Sequence, residues 1–337
     1  MENTDPQMVE SIMKRVLIID ALNAYLRAYI VDPSLSTHGQ PIGGIKGFIK
    51  ILQKLVRETK PDCVIVAWDG PDGSRKRKDM DKNYKAGRKP IRVNRNVNNL
   101  TDDEQLQNRI WQQGRLMEYL NNMPVIQTIL EQVEADDVIS YVVQMEHFRG
   151  WQKIIVSNDK DFMQLCDSET VLMRPVKNEI LNTKRIVEQT GVHPVNMALA
   201  RAMIGDASDN LPGVYGVGFG TVAKRFGFLA APESATVDCI MERCEQTESK
   251  LKVFANILKS KDRIIHNFRM MQLYVPQISH QGRAIVKEAI ENFEFSYNQM
   301  EIIKMMRNDG FGELNWETLR TTLNRIVYDN KKITKTG

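Results

Sequence analysis

Three short apolar runs, each ending in an aspartate, constrain the fold of this chain more than any other feature. The runs are "RVLIID" at 15–20, "PDCVIVAWD" at 61–69 and "KIIVSND" at 153–159. Continuous apolar strands that alternate with helical patterns predict a mostly parallel α/β sheet covered on both faces. Ligands of such sheets bind beyond the carboxyl ends of the strands. We therefore expect Asp20, Asp69 and Asp159 to converge at one edge.

Strand patterns end near residue 183, and helical patterns dominate the rest of the 337 residues. A chain of this length suggests about two domains. We predict a loose leader at 1–13, an α/β domain at 14–185 and a helical domain at 186–337. No run approaches the roughly 20 apolar residues of a membrane span. The first residues contain no apolar signal region, so we expect a cytoplasmic protein that does not associate with membranes.

The segment from residue 72 to residue 95 is strongly basic. It contains ten lysines and arginines against three aspartates, an excess of seven positive charges. Such an excess suits an anionic partner such as nucleic acid. A solvated charged loop is the alternative, and composition alone does not decide between the two.

Six further carboxylates stand in motifs that the same sheet edge could gather. They are Glu134, Asp136 and Asp137 in "EADD", Asp161 just past the third run, and Asp206 and Asp209 in "GDASDN". Each one alone is commonly a helix N-cap. Together they need cations, because two carboxylates about 4 Å apart repel by roughly 4 kcal/mol at an effective dielectric near 20. Oxygen ligands without histidine suit Mg²⁺ or Mn²⁺ rather than zinc, and two groups of acids could hold the two ions of a metal-assisted phosphodiester cleavage.

The stretch "LPGVYGVGFGTVAKRF" at 211–226 follows the last of these acids closely. Its glycines, followed by Lys224 and Arg225, predict two short helices joined by a glycine turn. Glycines let backbone N–H groups approach a phosphate, and a helix N-terminus adds a favourable dipole. The sequence thus predicts a grip on a phosphate backbone beside the metal group.

Six stretches in a fixed order resemble a known family. They are "IIDALN", "VAWDG", "NYKAGR", "EADDVI", "SNDKDFMQL" and "GDASDNLPGVYGVGFGTVA", spread over residues 14–230. They are similar to the 5′ nucleases of the flap endonuclease and 5′–3′ exonuclease type, found as stand-alone bacteriophage enzymes and as the N-terminal domain of bacterial DNA polymerase I. The resemblance implies a PIN-like, Rossmann-like catalytic domain at 14–185. It also implies a helical arch at 72–100 and a DNA-binding helix-three-turn-helix at 204–226.

The resemblance implies a role for each acid and for the base of the arch. The first ion would be bound by Asp20, Asp69, Glu134, Asp136 and Asp159, and the second by Asp161 and Asp209, with Asp206 and Asp137 as outer or shared ligands. Lys85 and Arg88 would act on the scissile phosphate, and Tyr84 would stack on the terminal nucleotide.

The resemblance also implies a DNA-binding set in the arch and the helix-three-turn-helix. Its members are Arg75, Lys76, Gly213, Gly216, Gly218, Thr221, Lys224 and Arg225. Backbone oxygens of the second motif often hold a potassium ion in this family. Gly220 stands where the family usually has lysine, so either Lys224, one turn later, replaces it or the grip on the duplex is weaker.

These expectations together define a structure-specific 5′ nuclease. It would hydrolyse branched or 5′-ended duplex DNA in replication or repair with two Mg²⁺ ions, replaceable by Mn²⁺, one activating a water and one stabilising the leaving oxygen. RNA primers in RNA–DNA hybrids are a further candidate substrate. We expect a monomer that docks a replication protein, such as a clamp or a single-strand binding protein, on residues 230–337. Two alternatives stay open: an RNA-directed ribonuclease of the PIN type and a non-catalytic DNA-binding scaffold.

Overall fold

A six-stranded sheet lies at the centre of the protein. The computed structural model describes residues 13–88, 91–97, 100–247, 251–312 and 316–336. The strands of the sheet are β1 (Arg15–Asp20), β2 (Cys63–Trp68), β3 (Ile126–Ile129), β4 (Gln152–Val156), β5 (Thr170–Arg174) and β6 (Glu179–Leu181). Their order is β3-β2-β1-β4-β5-β6. Neighbours from β3 to β5 are parallel and β6 is antiparallel to β5, which confirms the predicted mostly parallel sheet.

The order of the strands creates a switch point between β1 and β4. From β1 the chain moves outward through β2 and β3 on one side, and then returns to build β4 and β5 on the other. Asp20, at the end of β1, is in register with Ala67 near the end of β2. Open parallel sheets bind their ligands at such a point, beyond the carboxyl ends of the strands.

Helices cover both faces of the sheet, which explains why its central strands are apolar at nearly every position. They are α1 (Ala21–Val31), α2 (Gly43–Thr59), α3 (Arg75–Met80), α4 (Asp102–Leu120), α5 (Ala135–Val143), α6 (Thr183–Thr190), α7 (Pro194–Ile204), α8 (Phe219–Arg225), α9 (Val237–Glu245), α10 (Lys252–Lys259), α11 (Lys261–Met271), α12 (His280–Glu291), α13 (Gln299–Asn308) and α14 (Trp316–Thr336). Alternate residues of a strand point to opposite faces. Leu17 and Ile19 thus pack with α1, α2, α4, α13 and α14, whereas Val16 and Ile18 pack with residues from α5 to α12.

The helices that follow β6 pack on the sheet from both sides. Ile326 of α14 is buried in the same apolar cluster as Leu17, and Met203 of α7 is buried in the cluster of Val16. The division at residues 185 and 186 stays a prediction. Most of the predicted leader, residues 1–12, lies outside the described residues. Within the described ranges, no helix has the length and apolar character to cross a membrane.

The prediction of two short helices in the glycine-rich stretch is wrong in its first half. That stretch begins with a two-residue strand, β8 (Leu211–Pro212), paired with β7 (Gly205–Asp206), and helix begins only at Phe219. Glycine is required at position 213 of this turn, because a Cβ there would lie 1.8 Å from the carbonyl oxygen of Ile204. The turn crosses the end of α7 too closely for a larger residue. The two helices that flank the turn are therefore α7 and α8.

Candidate metal centre and nucleic-acid interface

Two strand ends place aspartates at the switch point of the sheet. Asp20 also caps α1, because its carboxylate accepts the backbone N–H of Asn23 at 3.2 Å. The same carboxylate accepts the hydroxyl of Ser157, just past β4, at 2.7 Å. Asp159, just beyond β4, accepts the backbone N–H of Asp161 at 2.8 Å. The two side chains repel each other electrostatically. They converge as their positions at strand ends predict.

The neighbouring strand adds a third aspartate and anchors a helix. Asp69 directly follows β2, and its carboxylate accepts the backbone N–H of Ala135, the first residue of α5, at 2.9 Å. The next residue of α5, Asp136, is repelled by Asp159 and Asp20. A carboxylate in the first turn of a helix is favoured by the helix dipole. The "EADD" motif therefore brings its acids to the same edge as the strand ends.

Four of these carboxylates, Asp20, Asp69, Asp136 and Asp159, form no ion pair within the described part of the chain, and we call them the open carboxylates. Burial, together with repulsion from Asp69 and Asp159, raises the pKa of Asp20 to about 7. Burial also raises the pKa of Asp69. Burial and then repulsion from Asp159 raise the pKa of Asp136 well above its usual range. A cation in this group would relieve that unfavourable charge.

The other five predicted acids are the paired carboxylates, since each is neutralised by a basic side chain. Glu134 and Asp137 pair with Arg77, Glu134 also with Lys85, Asp161 and Asp206 with Arg201, and Asp209 with Arg88. Electrostatic contacts link the two groups, because Asp136 is repelled by Glu134 and Asp161 by Asp159. The structure thus brings all nine predicted acids together and divides them into two groups. Their role as metal ligands stays a prediction.

Glu134 is the most heavily neutralised of the paired carboxylates. Its Oε1 accepts Ser74 Oγ at 2.6 Å and Lys85 Nζ at 2.5 Å, and its Oε2 accepts Arg77 Nη1. Burial raises the pKa of Glu134, but Arg77 and Lys85 outweigh burial and bring it down to about 2. Arg77 is only 3% exposed and also donates to Asp137 Oδ2 at 2.8 Å. Both oxygens of Glu134 are occupied by protein donors, so binding an ion requires displacing one of them.

Arg201 of α7 forms ion pairs with two other paired carboxylates, Asp161 and Asp206. Its Nε and Nη2 each lie 2.8 Å from Asp161 Oδ1, and Nη2 lies 2.5 Å from Asp206 Oδ2. Burial and then repulsion from Asp159 still raise the pKa of Asp161 to about 7. Burial raises the pKa of the more exposed Asp206 too, but the hydrogen bond from Ser208 and the charge of Arg201 bring it below its usual value. The pKa values of the two partners of Arg201 differ because Asp161 is more deeply buried and is also repelled by Asp159.

The base of the predicted arch is docked against this edge. Lys85 donates its backbone N–H to the carbonyl of Asp209 at 3.0 Å, and Arg88 Nε donates to the carbonyl of Ser208 at 3.2 Å. Tyr84 is 3% exposed and packs with Leu211 and two methionines of α11. Stacking of Tyr84 on a nucleotide, as predicted, therefore requires the segment to leave this position. Arg75 on α3 is exposed.

Lys76 donates its Nζ to the carbonyl of Gln277 at 2.6 Å, which ties α3 to the segment that precedes α12.

The turn before α8 carries the remaining predicted DNA contacts. Thr221 Oγ1 donates to the carbonyl of Gly216 at 3.1 Å, which closes the turn. Gly216 has a φ of +82°, a conformation that glycine adopts without strain. Gly218 is the residue that directly precedes α8. In the last turn of α8, Lys224 is exposed and Arg225 is half-buried, so both basic groups border the turn.

The chemistry of the open carboxylates fits a hard divalent cation, because they offer several oxygen ligands that form no ion pair within the described part of the chain. Asp20 is buried, and Asp69, Asp136 and Asp159 are half-buried. As the side chains stand, no three acidic, histidine or cysteine side chains of the described residues are arranged to hold an ion. Like charges with no cation between them separate, so binding of an ion would draw these side chains together. The paired carboxylates fit an ion only after a basic side chain has moved.

Sequence reasoning missed Arg77 and Arg201, two buried arginines that pair with acids of this edge. Arg77 lies in the run "RKRK", where nothing in the sequence distinguishes the one residue that points inward. Arg201 had a usable signal, since it is a lone arginine in the apolar run "MALARAMI" just before "GD". A charge in the middle of a buried helix needs a partner, and Asp206 is the nearest acid in the chain.

Three features occur together here: a mostly parallel α/β sheet, a carboxylate centre at its switch point and a basic segment beside that centre. Together they define a class of proteins suited to phosphodiester chemistry. The family model of the 5'-3' exonuclease N-terminal resolvase-like domain matches residues 15–191, just over half of the chain. The chain belongs to this family.

Individual relatives agree with the family. The 5'-3' exonuclease of Aquifex aeolicus is 24% identical over 305 residues, which cover 88% of this chain and 95% of that protein. DNA polymerase I of Caldicellulosiruptor bescii is 31% identical over 211 residues, 60% of this chain but only 23% of the polymerase. The bacteriophage T5 D15 flap endonuclease, solved with DNA and metal ions, superposes with a TM-score of 0.62 at 16% identity and covers 88% of this chain and 98% of that one. This last likeness shows a shared fold.

Proposed function

We propose that this 5′ nuclease hydrolyses DNA where a duplex meets a 5′ strand, and that it depends on divalent ions, Mg²⁺ first and Mn²⁺ as a substitute. The observation that carries the proposal is the group of open carboxylates, which form no ion pair with any described residue and lie at the switch point of the sheet. When bound, such ions activate water and offset charge on the phosphate. The T5 protein, solved with DNA and metal ions, supports the same reading.

The two groups of carboxylates would hold two ions. The open carboxylates would hold the first, completed by Glu134 after it releases Lys85. Asp161, Asp206 and Asp209 would hold the second, once their arginines have moved. Asp137 would keep Arg77 beside the first group, because their contact is buried.

Lys85 and Arg88 would exchange carboxylate partners for phosphate partners. In the described state they bind Glu134 and Asp209. A phosphate of the bound strand offers a competing anion, and charge-assisted hydrogen bonds to phosphate are strong. The two side chains would then offset the charge that grows on the phosphate during hydrolysis. Tyr84, released with the same segment, would stack on a terminal base.

The turn between α7 and α8 would grip the duplex as a helix-three-turn-helix. Gly213, Gly216, Gly218 and Thr221 would bring backbone groups to the phosphates, and Lys224 and Arg225 would add charge. Carbonyl oxygens of the same turn would bind K⁺. Arg75 and Lys76 would contact the strand that passes the arch. Such contacts read shape and phosphate rather than base sequence.

Gly220 offers a test of this grip. A Cβ added at Gly220 meets nothing within 4 Å, and the same is true of Gly114 on α4. We expect Gly220→Lys to add one phosphate contact and to steepen the log–log dependence of DNA affinity on salt by about 0.9. Gly114→Lys is the matched control and should leave the slope unchanged. An unchanged slope for Gly220→Lys would place the duplex elsewhere.

RNA in RNA–DNA hybrids is proposed as a second substrate of the same site. Residues 230–337 are proposed as the docking surface for a clamp or a single-strand binding protein, with the nuclease itself a monomer in the cytoplasm.

The decisive experiment is cleavage of a 5′-labelled DNA flap, beside a matched RNA flap, in Mg²⁺ and then in EDTA. We expect cutting near the junction in Mg²⁺, no cutting in EDTA, and loss of activity in Asp159→Asn and Lys85→Ala. Asp238→Asn and Lys54→Ala change exposed ion pairs and serve as controls. Cutting of RNA alone would favour a PIN-type ribonuclease. DNA binding without cutting would favour a scaffold.

A further inference from the structure

Arg201 is a buried cation in an otherwise uncharged helix. It is the only charged residue of α7, and its neighbours Ala200 and Ala202 are fully buried. Arg201 itself is 6% exposed. A charge in such a position is retained at a cost in desolvation unless its partners compensate closely. The compensation comes from two carboxylates that the proposed function assigns to an ion.

The contacts of Arg201 resemble those that a bound cation would make. A single atom, Nη2, lies 2.8 Å from Asp161 Oδ1 and 2.5 Å from Asp206 Oδ2. One positive group therefore bridges two carboxylates that come from different parts of the chain. A divalent ion shared by Asp161 and Asp206 would need the same position between them.

The open carboxylates have no equivalent of Arg201 among the described residues. We propose that Arg201 holds the place of the second ion in the DNA-free protein. The chain alone then binds one divalent ion tightly, at the open carboxylates, and binds a second only when Arg201 leaves Asp161 and Asp206. This inference rests on the proposed two-ion function and adds the order in which the ions bind.

A cavity beside Arg201 supplies an alternative partner for its guanidinium. The cavity has a volume of about 290 Å³, and Asn23, Asn158, Lys160 and Ser208 line it together with Arg201 and two of the acids. An anion in this cavity would meet both the guanidinium and the Lys160 ammonium. Arginine binds phosphate through paired hydrogen bonds as readily as it binds carboxylate. A phosphate of the bound DNA would thus draw Arg201 away and admit the second ion.

The test is a Mn²⁺ titration of the full chain without DNA, with free Mn²⁺ followed by electron paramagnetic resonance. We expect one tight Mn²⁺ ion in the wild type and a much weaker second one. In Arg201→Met, the second ion should bind about tenfold tighter or more, because two carboxylates lose their cation. Arg115→Met is the matched control, since Arg115 also bridges two acids, Glu118 of α4 and Asp309 directly after α13, away from this edge. It should leave both affinities unchanged.

The outcomes separate this inference from the proposed function. Two tight ions in the wild type, or an unchanged second affinity in a folded Arg201→Met, would overturn the role of Arg201. Absence of any tight ion in the wild type would instead overturn the proposed metal centre. Circular dichroism checks folding. If Arg201→Met does not fold, Arg201→Lys is measured: its weaker bridge should tighten the second ion by about threefold, and no change would count against the inference.

Discussion

The open and the paired carboxylates lie at the same edge of one sheet, and they differ in whether a basic side chain of the described residues forms an ion pair with them. The open group comes mainly from strand ends, where backbone N–H groups and Ser157 orient the side chains without neutralising them. The paired group faces α3, the segment at 81–88 and α7, which contribute arginines and a lysine.

The comparison separates two uses of acidic residues. A buried carboxylate that the protein neutralises itself depends on its partner, because removing one member of a buried pair leaves an uncompensated charge. Burial without an ion-pair partner raises the pKa of Asp20, Asp69 and Asp136 and destabilises the metal-free fold, but these carboxylates are free to bind an exchangeable ion. Removing the cation of a paired carboxylate should therefore lower stability, whereas removing an open carboxylate should leave stability unchanged or raise it.

The largest expected effect is on activity in the open group. We expect Asp20→Asn to lower kcat on a DNA flap by on the order of 10³-fold or more, since no protein cation can replace the ion that this group would hold. Asp137→Asn, in the paired group, should lower kcat by about tenfold or less. Initial rates in saturating Mg²⁺ measure both. Equal losses in the two variants would remove the functional distinction between the groups.

The next effect is on stability in the paired group. Arg77→Met should lower the free energy of unfolding by about 3–5 kcal/mol, because it leaves Glu134 and Asp137 buried without a cation. Asp69→Asn should leave stability in EDTA unchanged or higher, since it removes a repelled charge. Urea denaturation with a constant m-value measures both.

Arg149→Met is the control for Arg77, since Arg149 is exposed and pairs with the exposed Glu146. It should cost less than about 1 kcal/mol. A loss of stability in Asp69→Asn as large as that in Arg77→Met would contradict the comparison.

A smaller effect is expected on the pH dependence of stability, and the pKa of Asp20 determines its sign. The pKa of Asp20 is raised from 3.8 to about 7, mainly by burial. A folded-state pKa above the unfolded one favours the fold at low pH, and this contribution is lost as the pH rises through about 7. A bound ion stabilises the charged form, so Mg²⁺ should raise the melting temperature more at about pH 8 than at about pH 5.5, by roughly 2 °C or more.

Asp20→Asn should reduce this difference, because the substituted side chain no longer titrates. A Mg²⁺ effect that is larger at the lower pH would show that the ion binds elsewhere. Melting curves with and without Mg²⁺ at the two pH values decide it.

The smallest expected effect is on Mn²⁺ affinity, when one of the two ion pairs of Glu134 is removed. Lys85→Met frees Oε1 of Glu134 from its lysine, while Arg77 stays on the other oxygen. We expect the first Mn²⁺ ion to bind about two- to fivefold tighter in this variant, whatever happens to its activity. Lys50→Met is the control, since Lys50 pairs with Asp32 away from this edge. Weaker Mn²⁺ binding in Lys85→Met would argue that Lys85 supports the ion rather than competing with it.

Much of the fold was predictable because its signals are local. The apolar runs at 15–20, 63–68 and 152–156 predict three parallel strands. An aspartate lies at or just past the carboxyl end of each strand, so the position of these acids was predictable as well. The short strand β6 gave no such signal, since only one of its three residues is buried. Its place in the sheet depends on pairing with β5.

The pairing of the carboxylates was not predictable in the same way. Arg77 reaches Glu134 across 57 positions of the chain, and its burial depends on the contact of α3 with the Met270 carbonyl. Tyr84 is likewise buried by Leu211 and α11, which no local pattern indicates. The sequence predicts which acids gather, but only the packing of distant segments decides which of them acquire a cation.

The most direct test of the central claim is anomalous diffraction from crystals of the DNA-free protein soaked in Mn²⁺. The open carboxylates should surround an anomalous peak, with Asp20, Asp136 and Asp159 drawn toward it and Arg77 still on Glu134. A Mn²⁺ peak confined to the paired carboxylates, or no peak at the switch point in a well-occupied soak, would contradict the account.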